Sequence, residues 1–327
     1  MLGVLDLEIF ILCLKQMLMM AFLIVLGYIL RKKDIVPPNS YIVLSRLETY
    51  IFVPALNFYN QIQNCNIDTF KENYKLIFYG AAVVGAALLI SYPLSRIFIK
   101  NPNKNSHRKY QRNVYKYALT FANYGFVGNF VILSVWGQEM LFKYSMFTFV
   151  PAVVSCAWGN YQLIPKEKGA GILKSLKKGL ITPPLIALLA GMILGLLNLK
   201  EYIPDFIHSA CGNAGNCMGP VAMVLAGVVI GGYRIKGLLR NWRIYLLTVF
   251  RLVIIPGIFI LVLKAFNTPD LILTLTLVFL GSPIGMNTIV YPAAYGGETR
   301  TGASMTVISS AISIITIPIM YFLLIVL

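Results

Sequence analysis

Two short stretches combine helix-breaking residues with polar side chains inside otherwise apolar sequence, at 121–130 and 281–292. Glycine and proline weaken a helix and free its backbone groups, which lipid cannot satisfy. These groups must therefore face protein or a watery cavity, where carboxamides and hydroxyls assist in binding. A half-helix that begins there favours an anion. The predicted substrate-binding residues are Asn123, Tyr124, Gly125, Gly128, Asn129, Ser282, Pro283, Gly285, Asn287, Thr288 and Pro292.

The alternative for these stretches is that glycine and serine only permit close helix packing. That interpretation suits Gly80, Gly85, Gly191 and Gly195 well. Close packing does not account well for two breaks that both carry carboxamide side chains, so we favour a binding site.

Four further residues are candidates for substrate contact or ion coupling, because charged and amide groups within apolar spans are costly. Arg251 holds a substrate carboxylate or pairs with a carboxylate elsewhere. Asn213 and Asn216 line the cavity or bond between helices. Glu48 is one of three carboxylates, with Glu139 and Glu298, that could titrate during transport. The pattern leaves H⁺, Na⁺ and uncoupled transport open.

Enzyme signatures do not occur in the sequence. There is no HExxH pair, phosphate-binding Walker loop or nucleophile elbow. None of the five cysteines forms a CxxC pair, and Cys211 and Cys217 have no histidine beside them, so a metal site is not expected. We therefore predict no catalytic residues, no metal and no cofactor.

The composition is that of a protein that crosses a membrane several times. Of 327 residues, 58% are hydrophobic and 12% are charged, and the mean hydropathy is +0.74. Soluble domains are roughly 45–50% apolar and about 25% charged. The composition excludes a soluble enzyme, a disordered tail and a nucleic-acid-binding domain. The net charge of +16 lies in residues between apolar runs, which indicates membrane topology.

The apolar runs predict an all-α protein with ten transmembrane helices. Alternate loops carry most of the 28 basic residues, and this bias places those loops in the cytoplasm and both termini outside a plasma membrane. The other loops hold only Lys71, Lys75, Lys143, Lys200 and Lys264. The predicted spans are 9–30, 39–59, 74–99, 113–136, 141–164, 180–199, 208–232, 242–266, 271–295 and 302–327.

The two halves of the chain resemble each other weakly, but in the same order. Pro54-Ala55 matches Pro220-Val221-Ala222, and Asn73-Tyr74 matches Asn241-Trp242 at a similar offset. Five spans per half is an odd number, so the second half would enter the membrane from the opposite side, as in many secondary transporters. The alternative is chance similarity among apolar segments. We predict a first repeat at 1–164, a cytoplasmic linker at 165–179 and a second repeat at 180–327.

The order of these motifs resembles the auxin efflux carrier family of membrane transporters. The resemblance covers essentially the whole chain. It lies in residues 26–33 and 52–56, in Asn123-Tyr124-Gly125-Phe126-Val127-Gly128 with Trp136-Gly137, and in Pro283-Ile284-Gly285-Met286-Asn287 with Tyr295-Gly296-Gly297-Glu298 and Ile317-Pro318.

The resemblance implies two inverted five-helix repeats in which helices 4 and 9 are broken and cross. One part would act as a scaffold while the other moves like an elevator. It also implies transport of organic anions and, from plant relatives, a homodimer. Relatives usually carry a proline just after the position of Gly128, where this chain has Asn129-Phe130.

We therefore expect a secondary transporter that moves a small organic anion, such as a mono- or dicarboxylate or an auxin-like acid. Its expected partners are that anion and the lipid bilayer, with no nucleic acid. A receptor or sensor on a transporter fold is the main alternative. An anion channel is another, and an intramembrane enzyme has little support.

Overall fold

A computed structural model describes residues 2–100, 105–164, 181–294 and 297–326. Within these ranges the chain is helical, and the only β-pairing there is one isolated bridge. The predicted linker at 165–179 lies outside the described residues, as do Tyr295 and Gly296 of the quoted motif.

The described residues of the first half form eight α-helices, with π-helical turns at Glu48–Phe52, Tyr124–Gly128 and Ser155–Gly159. We label the described helices in chain order. They are α1 (Leu2–Lys32), α2 (Ser40–Leu47), α3 (Val53–Asn64), α4 (Ile67–Asn73), α5 (Lys75–Phe98), α6 (Ser106–Thr120), α7 (Asn129–Val154) and α8 (Asn160–Leu163).

In the second half, π-helical turns occupy Phe250–Ile254 and Phe322–Val326, and a 3₁₀ turn occupies Lys200–Tyr202. The described helices there are α9 (Pro183–Leu196), α10 (Asp205–Gly231), α11 (Ile235–Leu238), α12 (Trp242–Val249), α13 (Ile255–Ala265), α14 (Asp270–Gly281), α15 (Asn287–Ala294) and α16 (Arg300–Tyr321).

Six continuous helical stretches among the described residues are long and apolar enough to cross a membrane. Two shorter apolar helices, α9 and α14, accompany them. The six stretches are Phe10–Lys32, Ile67–Phe98, Tyr124–Leu163, Asp205–Gly231, Trp242–Ala265 and Arg300–Val326. The protein is therefore an all-helical membrane protein.

The stretch Tyr124–Leu163 is much longer than a bilayer needs, and one glycine divides it. Gly137 has φ 81° and ψ −170°, a backbone conformation that glycine adopts without strain. The helix turns there, one residue beyond the predicted end of the fourth span at 136. The predicted end of the fourth span therefore lies next to a break in the helical backbone.

The helices pack as two groups. The first group contains α1, α2, α3, α9 and α10, and the second contains α5 to α8 and α12 to α16. Small residues permit the closest approaches, as expected between membrane helices. A Cβ at Gly227 would lie 2.0 Å from the Ile24 carbonyl oxygen, and a Cβ at Gly80 would lie 1.7 Å from that of Phe147. These glycines fix α1 against α10 and α5 against α7.

Candidate functional site

The two predicted breaks meet in the structure. Ala122 and Ile284 form an antiparallel bridge, and the Asn123 N–H donates to the Pro283 carbonyl oxygen at 2.6 Å. The Ile284 N–H donates to the hydroxyl oxygen of Ser309 at 2.9 Å. Backbone groups that the breaks free from helices α6 and α14 are thus satisfied inside the protein, as the bilayer interior requires.

The first break ends in a widened helical turn. The Asn123 carbonyl oxygen accepts the Val127 N–H at 2.9 Å and the Gly128 N–H at 3.1 Å. Gly128 sits against the Tyr144 hydroxyl, which would lie 2.3 Å from a Cβ placed on it. The same test at Gly125 finds open space. A side chain at position 128 would therefore displace Tyr144, whereas position 125 has room for one.

The second break is held by hydroxyl groups and a proline. The Ser282 hydroxyl donates to the Val278 carbonyl oxygen at 2.6 Å, at the end of α14. The Thr288 hydroxyl donates to the Gly285 carbonyl oxygen at 2.8 Å, at the start of α15. Pro283 cannot donate a backbone hydrogen bond, which favours the end of a helix there. These contacts keep the segment between Gly281 and Asn287 extended.

Arg251 supports the second break from behind. Its guanidinium donates through Nη1 to the Leu280 carbonyl oxygen, so a positive charge meets the negative end of α14. The side chain is fully buried, and its Nε and Nη2 have no hydrogen-bond partner within the described residues. Arg251 does not line the cavity described next, which makes it a positioning residue for the break.

A cavity of about 280 Å³ lies beside the crossing, between the two helix groups. We call it the central cavity. The first group contributes residues of α2, α3, α9 and α10, and the second contributes residues of α7, α15 and both breaks. Its polar lining residues are Ser45, Thr49, Asn57, Cys156, Thr182, Asn287 and Tyr291. Its apolar lining residues are Phe126, Ala152, Pro184, Leu185, Leu188, Leu225, Met286 and Val290.

Among the predicted binding residues, Asn287 lines the central cavity directly. Its amide Nδ2 donates to the Tyr117 hydroxyl at 3.0 Å, which fixes the side chain at the start of α15. The other predicted residues of the breaks surround the crossing without lining this cavity. They are Asn123, Tyr124, Gly125, Gly128, Asn129, Ser282, Pro283, Gly285, Thr288 and Pro292.

The remaining candidates lie elsewhere. Asn213 and Asn216 are exposed on α10, and they do not line the central cavity. Leu225 is the residue of α10 that reaches the cavity, because it lies on another face of the helix. Glu48 is fully buried in the π-helical turn between α2 and α3, and it does not line the cavity either.

Sequence reasoning missed six polar residues of the cavity, namely Ser45, Thr49, Asn57, Cys156, Thr182 and Tyr291. The Asn57 amide donates to the Pro184 carbonyl oxygen at 3.0 Å, which ties α3 to α9 at the cavity wall. Pro184 follows Thr182-Pro183, and this signal of a helix start could have drawn attention to Thr182. Thr49 and Cys156 are single residues in apolar helices and carry no such signal.

No cluster of His, Cys, Asp and Glu side chains that could hold a metal ion occurs within the part of the chain described. Broken helices that meet beside a cavity between two helix groups are typical of secondary transporters. Comparison with protein families agrees with this class. The model of the membrane transport protein family matches residues 12–173 and 170–321.

The chain therefore belongs to the membrane transport protein family, which is the family of auxin efflux carriers and PIN-like proteins. Members of this family are transporters rather than enzymes. A search of curated proteins found no match. The resemblance inferred from the sequence motifs is thus confirmed at the level of the family.

Proposed function

We propose that the protein is a secondary transporter that moves a small organic anion, such as a mono- or dicarboxylate or an auxin-like acid, across the plasma membrane. The central cavity carries this proposal. It lies at the crossing of the two breaks, and α15 begins there at Asn287, so the positive end of that helix favours an anionic group. A volume of about 280 Å³ suits a small solute.

We further propose the ten-helix, inverted-repeat architecture for this chain. The described helices cover each of the ten predicted spans, and the two breaks occupy equivalent places in the two halves. The first repeat would comprise 1–164 and the second 180–327. The two stretches that match the family meet within residues 170–173, close to this boundary.

An elevator-type movement is the mechanism that the packing supports. Both breaks belong to the second helix group, whereas the opposite wall of the cavity comes from the first group through Ser45, Asn57 and Leu225. A movement of the second group against the first would carry a bound anion past a fixed wall. Substrate affinity must differ little between the two end states, since a carrier that traps its load cannot cycle.

Glu48 is the carboxylate that we propose for ion coupling. Both of its oxygens are buried without a hydrogen-bond partner in the described residues, and such a carboxylate is costly unless it takes up H⁺ or a cation such as Na⁺. Among the helices packed against its turn, α3 and α9 carry no charge, and α10 carries only Asp205 and His208 near its far end. In α2, Arg46 lies two residues before Glu48, and its side chain is exposed. Glu139 instead pairs with the Lys143 ammonium at 2.6 Å.

The basic ends of the helices support the proposed orientation, with both termini outside the cytoplasm.

The exposed face of α10 supports a homodimer in the same membrane. Asn213 and Asn216 present amides there on an apolar surface, and a second copy could satisfy them better than lipid. Cross-linking of a double N213L/N216L variant would yield less dimer than the parent if this face is the interface, and equal dimer would contradict it.

Uptake by proteoliposomes tests the proposed function. Purified protein is reconstituted and given labelled mono- and dicarboxylates, with and without sodium and with and without a pH gradient, beside protein-free liposomes. The proposal expects saturable uptake of at least one anion. Binding without flux would favour a receptor, and flux that does not saturate would favour a channel.

The E48Q variant tests coupling in the same vesicles. Glutamine keeps the size of the side chain but cannot exchange a proton. We expect uptake by E48Q to lose its dependence on the driving ion gradient, while E139Q behaves like the parent. An E48Q variant that still follows the gradient would exclude Glu48 as the coupling group.

A further inference from the structure

A second cavity, of about 320 Å³, lies at the ends of the helices where basic residues cluster. We call it the Arg31 cavity. It is lined by residues from both helix groups, among them Arg31, Asn39, Tyr41, Tyr233, Ile289 and Thr299. By the proposed topology it opens toward the cytoplasm. The central cavity has no charged lining residue among the described ones, whereas this cavity has a guanidinium.

Arg31 is built into the wall of this cavity. Its side chain is only 17% exposed, and its Nη1 contacts the Asp34 carboxylate at 2.6 Å, while Asp34 is 81% exposed. The stem packs on Gly231, where a Cβ would lie 2.7 Å from the Arg31 Cβ. Asp34 holds the guanidinium from the outer side in a solvated position, where an ion pair contributes little and is easily shared.

The two cavities lie in line along the same helices. Leu225 and Met286 line the central cavity, and Val229 and Ile289 line the Arg31 cavity. All four side chains belong to one hydrophobic cluster, which also contacts Tyr233. A single apolar layer therefore separates the uncharged cavity from the cavity with the arginine.

Tyr233 connects the two helix groups beside this layer. Its carbonyl oxygen accepts a hydrogen bond from the Lys32 ammonium at 3.0 Å, and its hydroxyl lies 3.1 Å from the hydroxyl of Thr299. Lys32 belongs to α1 in the first group, and Thr299 precedes α16 in the second. Because Tyr233 follows α10, only its contact with Thr299 joins the two groups, and a relative movement of the groups would break that contact.

We propose that the Arg31 cavity is a second binding site for the carboxylate of the transported anion. Arg31 attracts the anion and holds its carboxylate on the cytoplasmic side of the apolar layer, from which it passes to Asn287 when the layer opens. This proposal rests on the proposed function for the identity of the anion. The positive charge at the site can be tested without any transport.

The first test measures the charge preference of a cysteine in the cavity. Asn39→Cys is made in a protein whose Cys156, Cys211 and Cys217 are serine, in vesicles of neutral phosphatidylcholine that offer no anionic headgroup. Methanethiosulfonates that carry a sulfonate or a trimethylammonium group then label it. For charges roughly 8 Å apart in water, R31Q should lower the ratio of anionic to cationic labelling rates about fivefold.

Two variants control this measurement. R31K keeps the positive charge and should keep the ratio. K33Q removes a positive charge two residues further along the chain, from an exposed side chain, and should leave the ratio unchanged. A ratio that is the same in R31Q and in K33Q would overturn the proposal. If addition of anionic lipid removes the dependence on Arg31, a lipid headgroup is the occupant and the proposal also fails.

The second test measures transport from each side of the membrane in oriented vesicles. R31Q should raise the half-saturating concentration of a singly charged anion about twofold, from the cytoplasmic side only and with the maximal rate unchanged, because the same estimate here counts one charge rather than the difference between two opposite ones. K33Q should match the parent. An R31Q variant with unchanged half-saturation would overturn the proposal. If the parent moves no anion at all, the proposed function fails, and the labelling ratio alone decides whether the Arg31 cavity attracts anions.

Discussion

The two helix breaks occupy equivalent places in the two halves of the chain, yet they are built differently. The break before α7 is closed by backbone hydrogen bonds to the Asn123 carbonyl oxygen and by a glycine against Tyr144. The break before α15 contains Pro283 and ends at Met286 and Asn287, which line the central cavity. The second break therefore gives the central cavity a polar residue, Asn287, together with Met286, whereas the first break gives it only the apolar Phe126. Under the proposed function, the second break is the one that contacts the solute.

This difference explains how the chain tolerates the absence of a proline after Gly128. At Asn129 the helix continues, with φ −59° and ψ −43°, and the backbone N–H contacts the carbonyl oxygens of Phe126 and Tyr124. The interruption lies earlier, at Phe121 to Asn123, where the backbone N–H of Asn123 is held by the Pro283 carbonyl oxygen. The backbone of the second break thus supports the bend in the first.

Introducing a proline into the first break is expected to have the largest effect. N129P removes the backbone N–H that the helix uses, and it places a proline after Gly128, whose α-helical conformation is unfavourable there. We expect a loss of about 3 kcal/mol of stability, measured as a lower melting temperature in detergent. N129A is the control. An N129P variant as stable as the parent would mean that the two breaks are equivalent after all.

Removing the hydroxyl that supports the second break should have the next largest effect. Ser309 is fully buried and accepts the Ile284 N–H, so S309A leaves that donor without its partner. We expect a loss of about 2 kcal/mol of stability. S310A, at the half-buried neighbouring residue, is the matched control and should melt like the parent. Equal melting of the two variants would show that the extended segment does not depend on Ser309.

A glycine pair within the first break should show a smaller contrast. G128A brings a Cβ against the Tyr144 hydroxyl and should cost about 1 kcal/mol, whereas G125A has open space and should cost less. Adding Y144F to G128A removes the opposing oxygen and should recover part of the loss. If Y144F gives no recovery, the contact with Tyr144 does not explain why glycine is needed at this position.

The sequence predicted the helices and both breaks closely, but only part of the cavity. Gly, Pro and Asn in an apolar run mark a break wherever it occurs, so the segments at 121–130 and 281–292 contained the observed interruptions. Which face of α10 points toward the cavity could not be predicted from the sequence. Lipid and the protein interior are equally apolar, so a helix face that contacts either one carries the same kinds of residues. Asn213 and Asn216 therefore point outward, while Leu225 lines the cavity.

The polar residues of the opposite wall show the second limit. Thr49 lies in the turn between α2 and α3, Asn57 lies in α3, and Thr182 precedes α9, so only the packing of the first group brings them together. Nothing in their local sequence indicates a shared site. A single threonine or asparagine in an apolar helix is equally compatible with a hydrogen bond between helices.

The central claim is that the second break binds the solute while the first break supports it. The direct measurement is the affinity of N287A and N129A for the anion that the uptake screen identifies, by calorimetric titration of each purified protein. We expect N287A to bind about tenfold more weakly, as the loss of one hydrogen bond predicts, and N129A to bind like the parent. Equal affinities of N287A and the parent, or a larger loss in N129A, would contradict the account.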